Sequence, residues 1–285
     1  MRKFSIPATV LLALATFPVA ASDIAFLRRT GGFWQVWVID ANGKKPRQVT
    51  RSQCDKTRLS WLPDGGALVF CCAPGDVRKV SIKTGVETAI QLGTPGVLDA
   101  VVSPDGTRIA YSFNRAEAID GNDLWVSSID GTGRRKLAGL PGLQHEPVWS
   151  ADGKTVFFLS GEGGPFHDIW SVPADVAGSE PSQLTKRNAF HFDVAASQDG
   201  TLAFSSNRSG DYEIWLREPS GSERQLTHHH ELDARPSFSP DGRRLVVEST
   251  SDGVPNLQLI ELTTGKGSAL TRFKDGARAP VWRSQ

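Results

Sequence analysis

A tight turn recurs five times along the chain at nearly constant spacing, and this repeat limits the fold more than any other feature. The copies are Pro63-Asp64-Gly65, Ser103-Pro104-Asp105-Gly106, Ser150-Ala151-Asp152-Gly153, Ser197-Gln198-Asp199-Gly200 and Ser239-Pro240-Asp241-Gly242. From Asp64 onward the aspartates are 41, 47, 47 and 42 residues apart. A fixed period of about 40–45 residues is the span of one four-stranded propeller blade. Each turn residue has a local task. Proline presets φ at the first corner, the Asp carboxylate takes a nearby backbone N–H, and glycine supplies the positive φ that ends the turn.

Short strand-like segments flank every copy. Before it comes a strand carrying an aromatic or apolar residue, as in Pro147-Val148-Trp149; after it comes an apolar strand, as in Ala67 to Cys72. A third strand follows, as in Leu124-Trp125-Val126. A fourth ends in Val49-Thr50, Leu184-Thr185, Leu226-Thr227 or Leu270-Thr271. Such short strands between turn signals predict an all-β repeat. The segment Ile24 to Thr50 holds the last three strands of a unit, and Ala279-Pro280-Val281-Trp282 holds a first strand alone. Joined, they make one blade, so the chain is expected to be a six-bladed β-propeller closed by its N- and C-terminal strands. Closure removes the free edges that an open array would leave.

Residues 1–21 stand apart. Arg2 and Lys3, an apolar run from Ile6 to Val19, and the small residues Ala20 and Ala21 read as a secretory signal peptide. The propeller is expected over 22–285. The charge balance, 32 Lys and Arg against 31 Asp and Glu, shows no basic face for nucleic acid, and no later apolar run is long enough to insert in a membrane. Export makes a disulfide possible among Cys54, Cys71 and Cys72. Cys54 can reach Cys72 if the hairpin pairs, but two buried thiols and one loop thiol is the preferred arrangement.

The Ser-Pro-Asp-Gly turn, the apolar strand, Ser206-Asn207-Arg208, the run Gly210 to Trp215 and the closing Gln225-Leu226-Thr227 together resemble the repeat of the TolB propeller family. The resemblance covers all of 22–285. It implies a periplasmic protein whose propeller receives peptide segments of envelope partners. The family resembles a two-domain protein with an α/β domain ahead of the propeller; no such segment is expected here, so nothing belonging to that domain carries over.

The strand order puts the irregular loops and the inter-blade connections on one face and the repeated turns on the other. Binding residues concentrate on such loops. Just before each first strand, Arg58, Asp99, Glu146, Asp193, Arg235 and Ala279 align, a mixed ring around the entrance to a central channel. Mutual ion pairing and hydration is the preferred account of that ring. The functional account is a channel that takes a cation or a basic peptide group at Asp99, Glu146 and Asp193.

All six histidines map to the same face, and loop histidines from neighbouring blades can converge on a metal. Oligogalacturonate lyases, which resemble this chain in their repeats, use a central His-bound metal. However, His145, His191 and His230 stand at unequal distances from their turn serines, which favours solvated loop histidines. Asp120-Gly121-Asn122-Asp123 lacks the full pattern of a calcium loop and reads as a turn. No Gly-x-Ser-x-Gly elbow precedes a helix. Seven tryptophans occupy repeat positions and read as inter-blade packing. Trp34 alone is assigned to a loop of the variable face, where it offers a contact anchor.

The expectation is therefore an exported scaffold, not an enzyme, that binds a protein or peptide of the cell envelope. No cofactor, nucleic acid or membrane insertion is expected, and the chain is read as a monomer. The binding residues would be Trp34, Asp99, Glu146, His167, His191, Asp193, His229 and Arg235. The alternative is a metal-dependent polysaccharide lyase or hydrolase that uses loop histidines.

Overall fold

The computed structural model describes residues 23–113, 123–162, 164–186, 189–228, 232–250 and 253–283. The leader read at 1–21, Arg115, Asp120, His229 and His230 lie outside the described residues. The described chain is entirely β-structure, arranged as six four-stranded sheets around one axis.

In chain order, β1 (Asp23–Thr30), β2 (Phe33–Asp40) and β3 (Arg47–Gln48) open blade one. Blade two holds β4 (Lys56–Trp61), β5 (Ala67–Cys72), β6 (Asp76–Ser81) and β7 (Glu87–Ile90). Blade three holds β8 (Val97–Val102), β9 (Arg108–Phe113), β10 (Asp123–Ser128) and β11 (Arg135–Ala138). Blade four holds β12 (Gln144–Trp149), β13 (Thr155–Ser160), β14 (Asp168–Pro173) and β15 (Ser182–Gln183). Blade five holds β16 (His191–Ala196), β17 (Leu202–Ser206), β18 (Glu213–Arg217) and β19 (Glu223–Gln225). Blade six holds β20 (Asp233–Phe238), β21 (Arg244–Ser249), β22 (Asn256–Glu261) and β23 (Gly267–Ala269). Finally β24 (Arg278–Trp282) returns to blade one and pairs with β1, with Ile24 opposite Trp282 and Ala25 opposite Val281. The ring closes as the sequence predicts.

Two side-chain devices repeat because each blade must satisfy the same backbone groups. In the turns, the serine hydroxyl donates to the Asp carboxylate at 2.5–2.7 Å in Ser103–Asp105, Ser150–Asp152, Ser197–Asp199 and Ser239–Asp241. The same carboxylates accept the backbone N–H two residues on. These bonds favour the charged form; the Ser103 hydroxyl and then the Thr107 N–H pull Asp105 down to about 2. At the outer edge, a threonine two residues past the fourth strand bridges two partners in four of the blades. Thr50, Thr185, Thr227 and Thr271 each accept the N–H of Val36, Ile169, Ile214 or Leu257 at 2.9 Å. Each then donates its hydroxyl to Gln35, Asp168, Glu213 or Asn256. A polar pair that would be costly if left unpaired is thereby buried between strands.

The blades pack through apolar faces and through the repeat tryptophans. Trp61 Nε1 donates to the Val281 carbonyl of the preceding blade, and Trp149 Nε1 to that of Val101, both at 3.1 Å. Arg108 lies over Trp149 and Arg244 over Trp282, each reaching from the preceding blade.

One expectation about the cysteines is overturned. Cys54 and Cys72 are disulfide-bonded, with Cα atoms 5.8 Å apart, and Cys71 alone is a buried free thiol. Lys56 pairs with Cys72 across β4 and β5, which carries Cys54, two residues upstream, within bonding distance. The spacing of the sequence allowed this bond, but only the hairpin pairing delivers it.

Candidate functional site

The channel down the propeller axis is walled by the six innermost strands, and these strands share a backbone irregularity. Each of β4, β8, β12, β16, β20 and β24 shifts register against its neighbour by a bulge. Arg58, Glu146, Asp193, Arg235 and Ala279 have φ between 48° and 57°, the left-handed region that L-residues with a side chain seldom adopt. These are five of the six aligned ring positions. Asp99 is the exception and pairs conventionally with Ser112. Bulges of this kind re-aim side chains, and here they bring the ring residues to the channel. The cavity has a volume of about 490 Å³ and is lined by Arg58, Asp99, Glu146, Asp193, Arg235 and Arg278 among others. Toward the turn face its wall becomes neutral, with Pro63, Pro104 and Pro240.

Carboxylates hold three of the left-handed residues, Glu146, Asp193 and Ala279, in place. The Glu146 N–H donates to Asp99 Oδ2 at 3.1 Å, and the Asp193 N–H donates to Glu146 Oε2 at 2.6 Å. At the seam, the Ala279 N–H donates to Glu248 Oε2 at 3.0 Å. Each contact crosses from one blade to the next, so the carboxylates offset strain of about 1–2 kcal/mol per left-handed residue. Arg235 bonds Glu248 Oε2 at 2.7 Å and approaches Asp193 Oδ1 at 3.6 Å. Arg58 reaches across the channel from blade two to blade four, where its Nη2 donates to the Pro147 carbonyl at 2.7 Å.

Burial and neighbouring charge split the two central acids. Burial, reinforced by the Glu146 charge and opposed by Arg235, pushes Asp193 up to about 6. Burial also acts upward on Glu146, but the hydrogen bond from His145 and the charge of Arg58 outweigh it, so Glu146 stays below the usual range. Burial lowers Arg278 and the nearby Arg235 charge lowers it further, outweighing the opposing charges of Glu248, Asp193 and Asp55.

The histidines divide. His145 Nε2 and His167 Nδ1 meet at 2.8 Å beside Glu146, where burial and His145 hold His167 below its ordinary value. His191 was expected to contact a partner, yet it is fully buried in β16. Its Nδ1 meets the Ser206 hydroxyl at 3.0 Å, its Nε2 lies 3.6 Å from Asp168, and its ring packs on Phe204. Burial holds it neutral, at about 4. It is a structural residue because the bulge turns the following positions, not this one, to the channel. Among the described residues no three His, Cys, Asp or Glu side chains converge as a metal site.

Trp34 also departs from expectation. It lies within β2, opposite Arg29, not in a loop. Its N–H donates to Asp55 at 2.8 Å, and Arg278 lies over its ring at 4.6 Å from the centroid. Arg278 itself was missed. A signal existed: residues 57, 98, 145, 192 and 234, one before the other ring positions, are Thr, Leu, His, Phe and Ala, so the arginine at 278 stands out.

With this geometry in view, residues 80–285 match the TolB beta propeller domain. Over 266 residues the chain is 28% identical to the Tol-Pal system protein TolB of Bordetella pertussis, a match that covers 93% of this chain and 60% of that protein. The chain thus spans less than two thirds of that relative's length. TolB from Acinetobacter baumannii superposes with a TM-score of 0.80 at 20% identity, covering 93% of this chain and 67% of that one. An oligogalacturonate lyase in complex with manganese superposes with a TM-score of 0.64 at 18% identity, covering 89% and 75%. That likeness is one of fold, and fold does not carry activity.

Proposed function

The chain belongs to the TolB β-propeller family, and from that premise we propose that it is an exported binding scaffold, not an enzyme, whose channel receives a segment of a protein or peptide partner in the periplasm. The observation that carries this reading is the channel itself, with its cavity of about 490 Å³ and a rim of charged side chains held by inter-blade hydrogen bonds. Pre-organised charge around a concavity suits recognition of a polar peptide segment and a salt-sensitive on-rate. The Tol-Pal relatives support a partner within the cell envelope.

The exposed apolar residues offer a test that leaves the blades intact. Leu98, in β8, and Leu232, just ahead of β20, are 43% and 36% exposed at the charged mouth. Val86 and Val176 are 60% and 59% exposed in the hairpins of the opposite face. A photo-crosslinking amino acid placed at each position in living cells should capture an envelope protein from residues 98 and 232. Capture from residues 86 and 176 alone would place the partner on the turn face and overturn the reading.

A further inference from the structure

The channel rim holds the guanidinium groups of Arg58, Arg235 and Arg278 beside the carboxylates of Asp99, Glu146, Asp193 and Glu248, but the two kinds are not equally satisfied. Asp99, Glu146 and Glu248 each accept a backbone N–H from the next blade, and Glu248 also accepts from Arg235. One oxygen of each already has structural work, and the Asp193 carboxylate lies 3.6 Å from Arg235. Arg58 donates one bond, to Pro147, while its Nε is buried without a partner. Arg278 goes further: among the described residues it makes no hydrogen bond and no ion pair, and its Nε is likewise buried and unpartnered. A half-buried cation in that condition is costly unless something pairs with it.

The surroundings of Arg278 are built to present it. It lines the channel, and Trp34, the tryptophan outside the repeat register, lies against its guanidinium face. Stacking fixes the plane of the group while leaving its terminal nitrogens without a partner. The ring position next to it is Ala279, the one uncharged residue of the six, so no side chain of the ring fills the channel at that point. A planar, stacked guanidinium beside a gap is the geometry that binds a carboxylate through two parallel hydrogen bonds.

We propose that Arg278, stacked on Trp34 in the gap left by Ala279, is a carboxylate-binding point, so that the channel selects a partner segment by an acidic group and not by a basic one. This rests on the channel-binding reading above and reverses the sign of the group expected from the ring acids alone. The carboxylate can be an Asp or Glu side chain or the C-terminal carboxylate of the partner; both present the same two oxygens.

Three blocked tripeptides separate the possibilities: N-acetyl-Gly-Asp-Gly-amide, N-acetyl-Gly-Asn-Gly-amide, and N-acetyl-Gly-Gly-Gly as the free acid. Each is titrated to millimolar concentration into the whole propeller while the Trp34 indole N–H and Arg278 side-chain N–H resonances are followed. The Asp peptide, the free acid or both should shift these signals, and which of them does so identifies the source. The Asn peptide should not. Arg278→Gln should weaken binding by at least about tenfold. Ala279→Asp should do the same by placing an acid beside Arg278, and an aspartate tolerates the left-handed backbone there, which guards against a variant that fails to fold. Equal shifts from the Asn peptide, acidic binding that survives Arg278→Gln, or no shift from any peptide would overturn the proposal. Crosslinking from residues 98 and 232 is read independently, so loss of the carboxylate preference with crosslinking intact would remove this inference alone.

Discussion

The Glu146 carboxylate accepts the backbone N–H of Asp193 at 2.6 Å, so an acid of blade four holds the left-handed residue of blade five. The bond joins two ring positions and ties the shape of the channel mouth to the packing of neighbouring blades. Glu146→Ala is therefore expected to lower stability by about 1 kcal/mol or more, the cost of leaving a desolvated N–H without its acceptor. Glu146→Gln keeps an acceptor oxygen and should lose less than half as much. Urea unfolding of both variants measures the difference, and equal losses would show that charge, not the hydrogen bond, holds the bulge.

Asp193 makes stability fall with rising pH over a defined window. Its folded value, about 6, lies above the ordinary carboxylate value, with burial the leading cause. The folded state therefore binds the proton more tightly than the unfolded state between about pH 4 and pH 6, and deprotonation across that range costs about 3 kcal/mol at most. Asp193→Asn cannot titrate and should flatten this part of the stability profile. An unchanged slope from pH 4 to 6 in the variant would assign the titration to another group.

The Cys54–Cys72 bond closes a loop with a sequence separation of 18. Restricting the unfolded chain over a loop of that size contributes about 3 kcal/mol. Reduction should lower the urea midpoint accordingly. Cys71 is buried, and burial raises its thiol well above the ordinary range, so a thiol reagent should find no reactive group in the native protein and one in denaturant. A native protein that reacts at two further thiols would mean the bond is not formed.

Trp282 is 5% exposed at the seam where β24 meets β1. Trp282→Ala should cost about 3–5 kcal/mol through the cavity it leaves. Removal of residues 278–285 should lower the melting temperature of the whole ring, because it bares the paired edge of β1 along with Ile24 and Leu27. A truncated protein that melts with the intact one would show that β24 does not close the propeller.

The sequence by itself determined the repeat, the blade count, the closure by Pro280-Val281-Trp282 and the alignment of the ring from Arg58 to Ala279. Those features were legible because they answer local needs: the Ser103–Asp105 and Thr50–Gln35 hydrogen bonds recur wherever the same backbone groups must be satisfied a few residues away. Tertiary structure alone decided which atoms at the ring are free. It buried His191, moved Trp34 from an assumed loop into β2 beneath Arg278, joined Cys54 to Cys72, and engaged Asp99 and Glu146 with backbone N–H groups of the next blade. None of these outcomes is periodic. Each depends on groups from different strands or blades, as far apart in the chain as the Arg58 guanidinium and the Pro147 carbonyl, meeting across bulges that no glycine marks. Spacing along the chain encodes which residues share a ring, whereas the satisfaction of each charge depends on the partners that packing brings to it.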